Sequence, residues 1–202
     1  MNYELLTSVM RRLAIEAGDA IMDIYQTNDF VVNVKSDNSP VTAADEAADQ
    51  LISAGLRAAF PDVALITEEQ SASHSARADV FLIVDPLDGT KEFIHRRGDF
   101  TVNIAYVEHG VPTRGIVYAP AKGRLFYTLA NGQSVEEIGV FDKNQAAPTQ
   151  TIRVSQADNT ALMVVASKSH RDPRNRCLYR EIRRQGYEKR GVIAEILPDC
   201  DR

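Results

Sequence analysis

Four acidic side chains stand at the ends of apolar runs. Glu68 and Glu69 follow Ala64–Thr67, and Asp85 and Asp88 follow the run Val80–Val84. Strand ends place side chains at the lip of a sheet, where functional residues concentrate. The segment Asp85-Pro86-Leu87-Asp88-Gly89-Thr90 is compact. Proline sets one φ angle and removes one N–H, and Gly89 permits an unusual backbone angle or a close ligand approach. Two carboxylates, the Leu87 carbonyl and the Thr90 hydroxyl can therefore converge. All are hard oxygen donors with no Cys or His cluster beside them, a set that suits Mg²⁺ better than zinc. Each piece alone has a plainer reading. An isolated D-x-x-D is usually a solvated turn, a Glu-Glu pair is usually surface charge, and Thr42 with Asp45 is a helix cap. The combination at element boundaries points to chemistry. His74, His95, His109 and His170 fall in polar or loop-like stretches and are assigned no role.

The elements that must position these residues are legible. Apolar residues recur at helical spacing from Tyr3 to about Tyr25, which predicts a long amphipathic helix. Asp29–Lys35 reads as a strand, and Ser36–Pro40 as a turn. Thr42 can cap a second helix from Ala43 to about Phe60, its hydroxyl accepting from the Asp45 N–H. Ala64–Thr67 reads as a short strand and Ser71–Asp79 as a surface loop. Val80–Val84 reads as a strand covered on both faces. Strand-like runs at Phe100–Val107, Thr113–Ala119 and Arg124–Leu129, separated by turns, suggest an antiparallel meander. Further strands are expected at Thr151–Val154 and Leu162–Ala166. The fold class is α+β, a helix-covered and largely antiparallel sheet.

The 202 residues carry a net charge of −5, with 44% hydrophobic and 25% charged side chains. An acidic chain without a basic stripe or interleaved aromatics is a poor candidate for nucleic-acid binding. No stretch approaches the ~20 apolar residues of a membrane helix. The N-terminal residues read as an amphipathic helix rather than an export leader. Two cysteines, Cys177 and Cys200, without C-x-x-C support neither a disulfide framework nor a cysteine zinc site. A cytoplasmic setting is expected. Peripheral membrane contact and the oligomeric state are left open.

The ordered set Pro40-Val41-Thr42-x-x-Asp45, Thr67-Glu68-Glu69 and Asp85-Pro86-Leu87-Asp88-Gly89-Thr90 resembles the inositol monophosphatase superfamily of Mg²⁺-dependent phosphatases. The continuation Lys91-Glu92-Phe93, then Phe100–Ala105 and Val165–Arg171, resembles its bacterial 3′(2′),5′-bisphosphate nucleotidases, the CysQ type. The resemblance covers about residues 1–172. It implies a layered α/β sandwich of the inositol-monophosphatase and sugar-phosphatase type. Glu68, Asp85 and the Leu87 carbonyl would hold one Mg²⁺, and Asp85 with Asp88 a second. Thr90, paired with Asp45, would help activate the attacking water, with Glu68 also in the catalytic set. Substrate would meet Glu68, Leu87, Asp88 and the backbone of Gly89 and Thr90. Two metals can polarise a phosphate ester, lower the pKa of a water and stabilise the leaving oxygen. No covalent nucleophile is then required. The implied substrate is a small phosphorylated nucleotide, adenosine 3′,5′-bisphosphate, cleaved to AMP and phosphate. An inositol phosphate or another small phosphomonoester such as histidinol phosphate is the nearest alternative.

Composition changes near the C-terminus. Residues 1–170 carry 14 basic and 22 acidic side chains, whereas residues 171–202 carry 9 basic and 6 acidic, with 8 of the 17 arginines and both cysteines. The resembled family continues past position 172 with a Trp-Asp motif whose Asp joins the second metal, and this chain has no Trp. Back-translated and read one base later, Gly191–Arg202 and Arg183–Arg190 give text resembling the family's next blocks. The expected organisation is a metal-binding α+β domain over 1–150, the start of an α/β domain over 151–172, and an out-of-frame tail over 173–202 that leaves the second domain incomplete. Weak or absent activity and poor solubility follow as expectations. A noncatalytic remnant is the alternative from another class.

Overall fold

A computed structural model describes residues 1–27, 32–34, 40–70, 72–73, 78–154 and 156. The strand expected at 162–166 and the readings of 157–202 lie outside the described residues. Met1–Arg153 forms one compact unit.

Helix α1 spans Tyr3–Gln26, and the Asn2 carboxamide caps it by accepting from the Glu4 and Leu5 N–H groups. A short antiparallel pair, β1 (Val32–Val34) and β2 (Pro40–Thr42), leads into helix α2 (Ala43–Ala59). Pro40 thus opens a strand instead of closing a turn. It stands at the start of β2, where the missing N–H is tolerated. The helices pack closely because Gly55 has no side chain: a Cβ there would lie 2.3 Å from Leu13 Cδ2.

The main sheet has seven strands in sequence order: β3 (Ala64–Thr67), β4 (Val80–Asp88), β5 (Thr101–Glu108), β6 (Val111–Ala119), β7 (Arg124–Thr128), β8 (Ser134–Glu137) and β9 (Thr149–Thr151). Only β3 and β4 pair parallel; the remainder is an antiparallel meander. A short helix, α3 (Thr90–Ile94), joins β4 to β5. Helix α1 packs on β5, β6 and β7, and α2 on β3 and β4. Alternate residues Leu82, Val84, Val102, Ile104, Ile116 and Leu125 are buried in the core with Leu6, Leu13, Ile21, Ile52 and Leu56 of the helices. Full burial of one such side chain is worth about 1.5–3 kcal/mol.

Further expectations need correction: the strand expected at Thr151–Val154 is instead β9 at Thr149–Thr151. The β4 strand runs through Asp-Pro-Leu-Asp to Asp88 instead of stopping at Val84. It is not covered on both faces, since Ile83 is 42% exposed while Leu82 and Val84 are buried. Its apolar continuity therefore did not report two-sided burial. Strand β8 was not foreseen, because Ser134-Val135-Glu136-Glu137 offers one apolar residue and two acids. It forms because Glu137 has a cation waiting for it: Arg11 of α1 donates from Nε and Nη2 to its two carboxylate oxygens at 2.6 Å each.

Candidate active site

The site gathers where β3, β4, α2 and α3 meet. Asp85 and Asp88 are three residues apart, so a regular strand would turn them to opposite faces. A bulge changes this. Asp85 pairs with Asn103 and Asp88 with Thr101, so Pro86 and Leu87 both oppose Val102. Pro86 and Leu87 are both buried, whereas Asp85 is half-buried and Asp88 exposed. The extra residue thus brings both carboxylates to the face away from the helices. Proline suits the bulge because it has no N–H to leave unpaired.

Glu68 arrives through the parallel pairing of β3 with β4. Its N–H donates to the Val84 carbonyl at 3.0 Å, which extends the ladder one residue past Thr67. The turn behind it is clamped. Gln70 Nε2 donates to Asp49 Oδ2 at 2.7 Å and to Ser53 Oγ at 3.1 Å, and Arg57 donates to Gln70 Oε1 at 2.7 Å. The Thr67 N–H donates to Ser73 Oγ at 3.1 Å. Gln70, Asp49 and Ser53 drew no attention in the sequence, because they lie 17 and 21 residues apart and meet only when α2 packs beside β3.

Thr90 and Asp45 are joined by a 3.0 Å hydrogen bond from the Thr90 hydroxyl to Asp45 Oδ1; the Leu87 carbonyl lies 3.3 Å from the same hydroxyl. Asp45 is held from behind by a capping box. The Thr42 N–H and hydroxyl donate to Asp45 Oδ2 at 2.8 and 2.6 Å, and the Ala44 N–H donates to the Thr42 hydroxyl at 3.2 Å. Burial pushes the Asp45 carboxyl up, and these bonds from Thr42 and Thr90 pull against that rise without cancelling it. The cap is therefore also a positioning device for Thr90.

Gly89 has φ +95°, and a Cβ there would lie 2.7 Å from the Asp99 carbonyl oxygen. Glycine is required both for the backbone angle and for that approach. Behind α3, Phe93 and Phe100 stack edge-on at 5.3 Å between centroids and are almost fully buried. They anchor the short helix that carries Thr90. Lys91 and Glu92 lie on this helix, with Glu92 3.9 Å from Arg97.

Asp85 is the electrostatic centre. Burial first, then the charges of Glu68 and Asp88, push its carboxyl up to about 8. Its Oδ1 is buried without a hydrogen-bond partner. Among the described residues, no three His, Cys, Asp or Glu side chains close tightly enough to hold a metal ion as they stand. The donor chemistry nonetheless fits a divalent cation: hard oxygens only, mutual repulsion among acids, and an orphaned carboxylate oxygen that a cation would satisfy. Asp85 also lines a concavity of about 450 Å³ on the outer sheet face, with Ile83, Asn103, Ala105, Val117 and Phe126.

No described helix is long and apolar enough to cross a membrane. Comparison with known proteins agrees with the geometry. The chain matches the inositol monophosphatase family over residues 2–193, past the position near 172 where the motif resemblance ends. It is 46% identical over 165 residues to the 3′(2′),5′-bisphosphate nucleotidase CysQ of Escherichia coli, which covers 80% of this chain and 63% of that protein. The chain thus spans less than two thirds of that relative's length. The Haemophilus influenzae CysQ is 28% identical over 99% of this chain and 75% of its own length. Among solved structures, CysQ from Bacteroides thetaiotaomicron matches at TM-score 0.72 and 28% identity, over 91% of this chain and 70% of that one. The Bartonella henselae extragenic suppressor protein suhB matches at TM-score 0.58 and 28% identity, over 65% of this chain and 51% of that one. The sheet, the bulged acidic strand end and the matched residues together place this chain in the inositol monophosphatase family.

Proposed function

We propose that this chain carries the metal-binding part of a phosphomonoesterase that removes the 3′-phosphate of adenosine 3′,5′-bisphosphate to give AMP and phosphate. The observation that carries the reading is the bulge at Pro86–Leu87, which gathers Asp85 and Asp88 on one face beside Glu68 and whose Leu87 carbonyl lies 3.3 Å from the Thr90 hydroxyl bonded to Asp45. Glu68, Asp85, the Leu87 carbonyl and Asp88 would hold Mg²⁺. Bound there, Mg²⁺ would polarise the phosphate ester and lower the pKa of a water. The chain's own residues do the rest. With its proton committed to Asp45, the Thr90 hydroxyl presents lone pairs that accept from a water and orient it. The backbone of Gly89 and Thr90 receives the phosphate. Lys91 and Glu92 favour the bisphosphate over an inositol phosphate. The setting is cytoplasmic, and the partner is the small nucleotide.

The test is Mg²⁺-dependent phosphate release from adenosine 3′,5′-bisphosphate, with inositol 1-phosphate as competitor substrate. This chain is assayed beside a version whose coding DNA is shifted by one base near Asp172–Arg174. Release from the bisphosphate in the shifted version supports both the substrate and the out-of-frame reading of 173–202. Release from inositol phosphate alone overturns the substrate. Metal binding without release in either version favours the noncatalytic remnant. Resequencing that finds one unambiguous frame, with no family-like text in the shifted one, overturns the frameshift.

A further inference from the structure

Asn103 lies on β5 directly opposite Asp85 of β4. Its Nδ2 donates to Asp88 Oδ2 at 3.3 Å. Its Oδ1 is buried without a hydrogen-bond partner, as is Asp85 Oδ1, and both residues line the same concavity. On this face of the sheet its neighbours Ile83, Ala105 and Val117 are apolar. An amide in that company leaves a costly orphan acceptor unless something fills it. A leucine would pack there without the cost.

Resting on the metal-site reading above, we infer that Asn103 is a positioning residue of the centre: its amide N–H sets the Asp88 carboxylate, and its Oδ1, beside Asp85, accepts from a water or ligand N–H or O–H in the concavity. The choice of amide follows from charge. Glu68 and Asp88 each already repel Asp85, so a further carboxylate opposite Asp85 would add repulsion and could not donate to Asp88. An amide supplies one donor and one acceptor at zero charge. Asp88 is exposed just past the bulge, and the Asn103 amide on the neighbouring strand is the donor that holds its carboxylate.

The experiment is a titration of the full chain with Mn²⁺, read by electron paramagnetic resonance. Parent, Asp85→Ala, Asn103→Leu, Asn103→Thr and Val117→Leu are compared, with far-UV circular dichroism to establish folding. Residues that orient metal ligands typically change metal affinity 10- to 100-fold. Asn103→Leu is expected to weaken Mn²⁺ binding about 10-fold or more. Asn103→Thr, which keeps one hydroxyl on a strand-favouring residue, weakens it less, and Val117→Leu leaves it unchanged. Folded Asn103→Leu that binds within about twofold of parent overturns the role. If Asn103→Leu does not fold, Asn103→Thr decides by the same limit. A parent that binds no Mn²⁺, or binds it as well after Asp85→Ala, overturns the metal-site reading and the Asn103 role with it.

Discussion

Replacing Arg11 by methionine tests how the sheet's far end is held. Arg11 on α1 and Glu137 on β8 are 5% and 2% exposed. Glu137 accepts two hydrogen bonds from Arg11 at 2.6 Å and one from the Ala147 N–H at 2.9 Å, and the Tyr127 hydroxyl also bonds to it. Arg11 Nη2 also donates to the Gln145 carbonyl at 3.2 Å. Methionine retains most of the aliphatic stem and donates nothing, so Glu137 loses both Arg11 bonds and keeps those from Ala147 and Tyr127. Two lost charge-assisted bonds at about 1.5–3 kcal/mol each give roughly 3–6 kcal/mol. Breaking a buried ion pair from one side typically costs about 3–5 kcal/mol. Adding Glu137→Leu removes the stranded charge, but the double variant takes a partner from each of the Ala147 N–H, the Gln145 carbonyl and the Tyr127 hydroxyl. The double variant should therefore sit only about 1–3 kcal/mol below parent. Urea unfolding followed by far-UV circular dichroism measures all three. The pH dependence supplies a second check. Burial pushes the Glu137 carboxyl up, but the bonds from Arg11, Ala147 and Tyr127 with the Arg11 charge more than reverse this and leave it below its ordinary value. The parent's contribution is thus full above the ordinary carboxylate range and fades as pH falls through the lowered folded value. In Arg11→Met burial is opposed only by the Ala147 and Tyr127 bonds, so the carboxyl rises and the variant gains stability on acidification. The gap between the two proteins should narrow from pH 7.5 toward pH 4. A loss below about 1 kcal/mol at pH 7.5, or a gap that does not narrow, refutes the reasoning.

Two further substitutions probe the site. Asp45→Asn would keep an oxygen toward Thr42 and turn its amide toward Thr90. Thr90 would then accept from Asn and donate to the Leu87 carbonyl, 3.3 Å away. Stability should fall by only about 1–2 kcal/mol, while phosphate release falls about 100-fold or more against the same chain carrying Asp45; equal release would remove Thr90 from water orientation. Gly89→Ala meets the Asp99 carbonyl oxygen at 2.7 Å and Phe100 Cα at 3.2 Å, backbone atoms that cannot swing aside. A loss of about 2 kcal/mol or more, seen as a melting midpoint lower by about 4–8 °C, is the expected outcome. A midpoint within about 1 °C of parent would show that φ +95° is not required there.

Much of this molecule was legible from local pattern. Helical spacing placed α1 and α2, and Thr42 with Asp45 announced the cap that opens α2. The apolar runs placed β3 through β7, because periodicity and capping act within a few residues of chain. The block from Asp85 to Thr90, with Glu68 upstream and Asp45 before it, sufficed to point to the phosphatase family. The sequence could not say which face each acid takes. Spacing alone puts Asp85 and Asp88 on opposite faces, and only pairing with β5 reveals the bulge that unites them. The same holds for the Thr90–Asp45 bond, 45 residues apart, for the Gln70 clamp, and for the Arg11–Glu137 pair, 126 residues apart. Asn103 looked like one polar residue in a strand until the ladder set it opposite Asp85. These relations depend on register and on which helix covers which strand. Both are decided when the whole sheet closes over its core, and no short segment of chain carries that information.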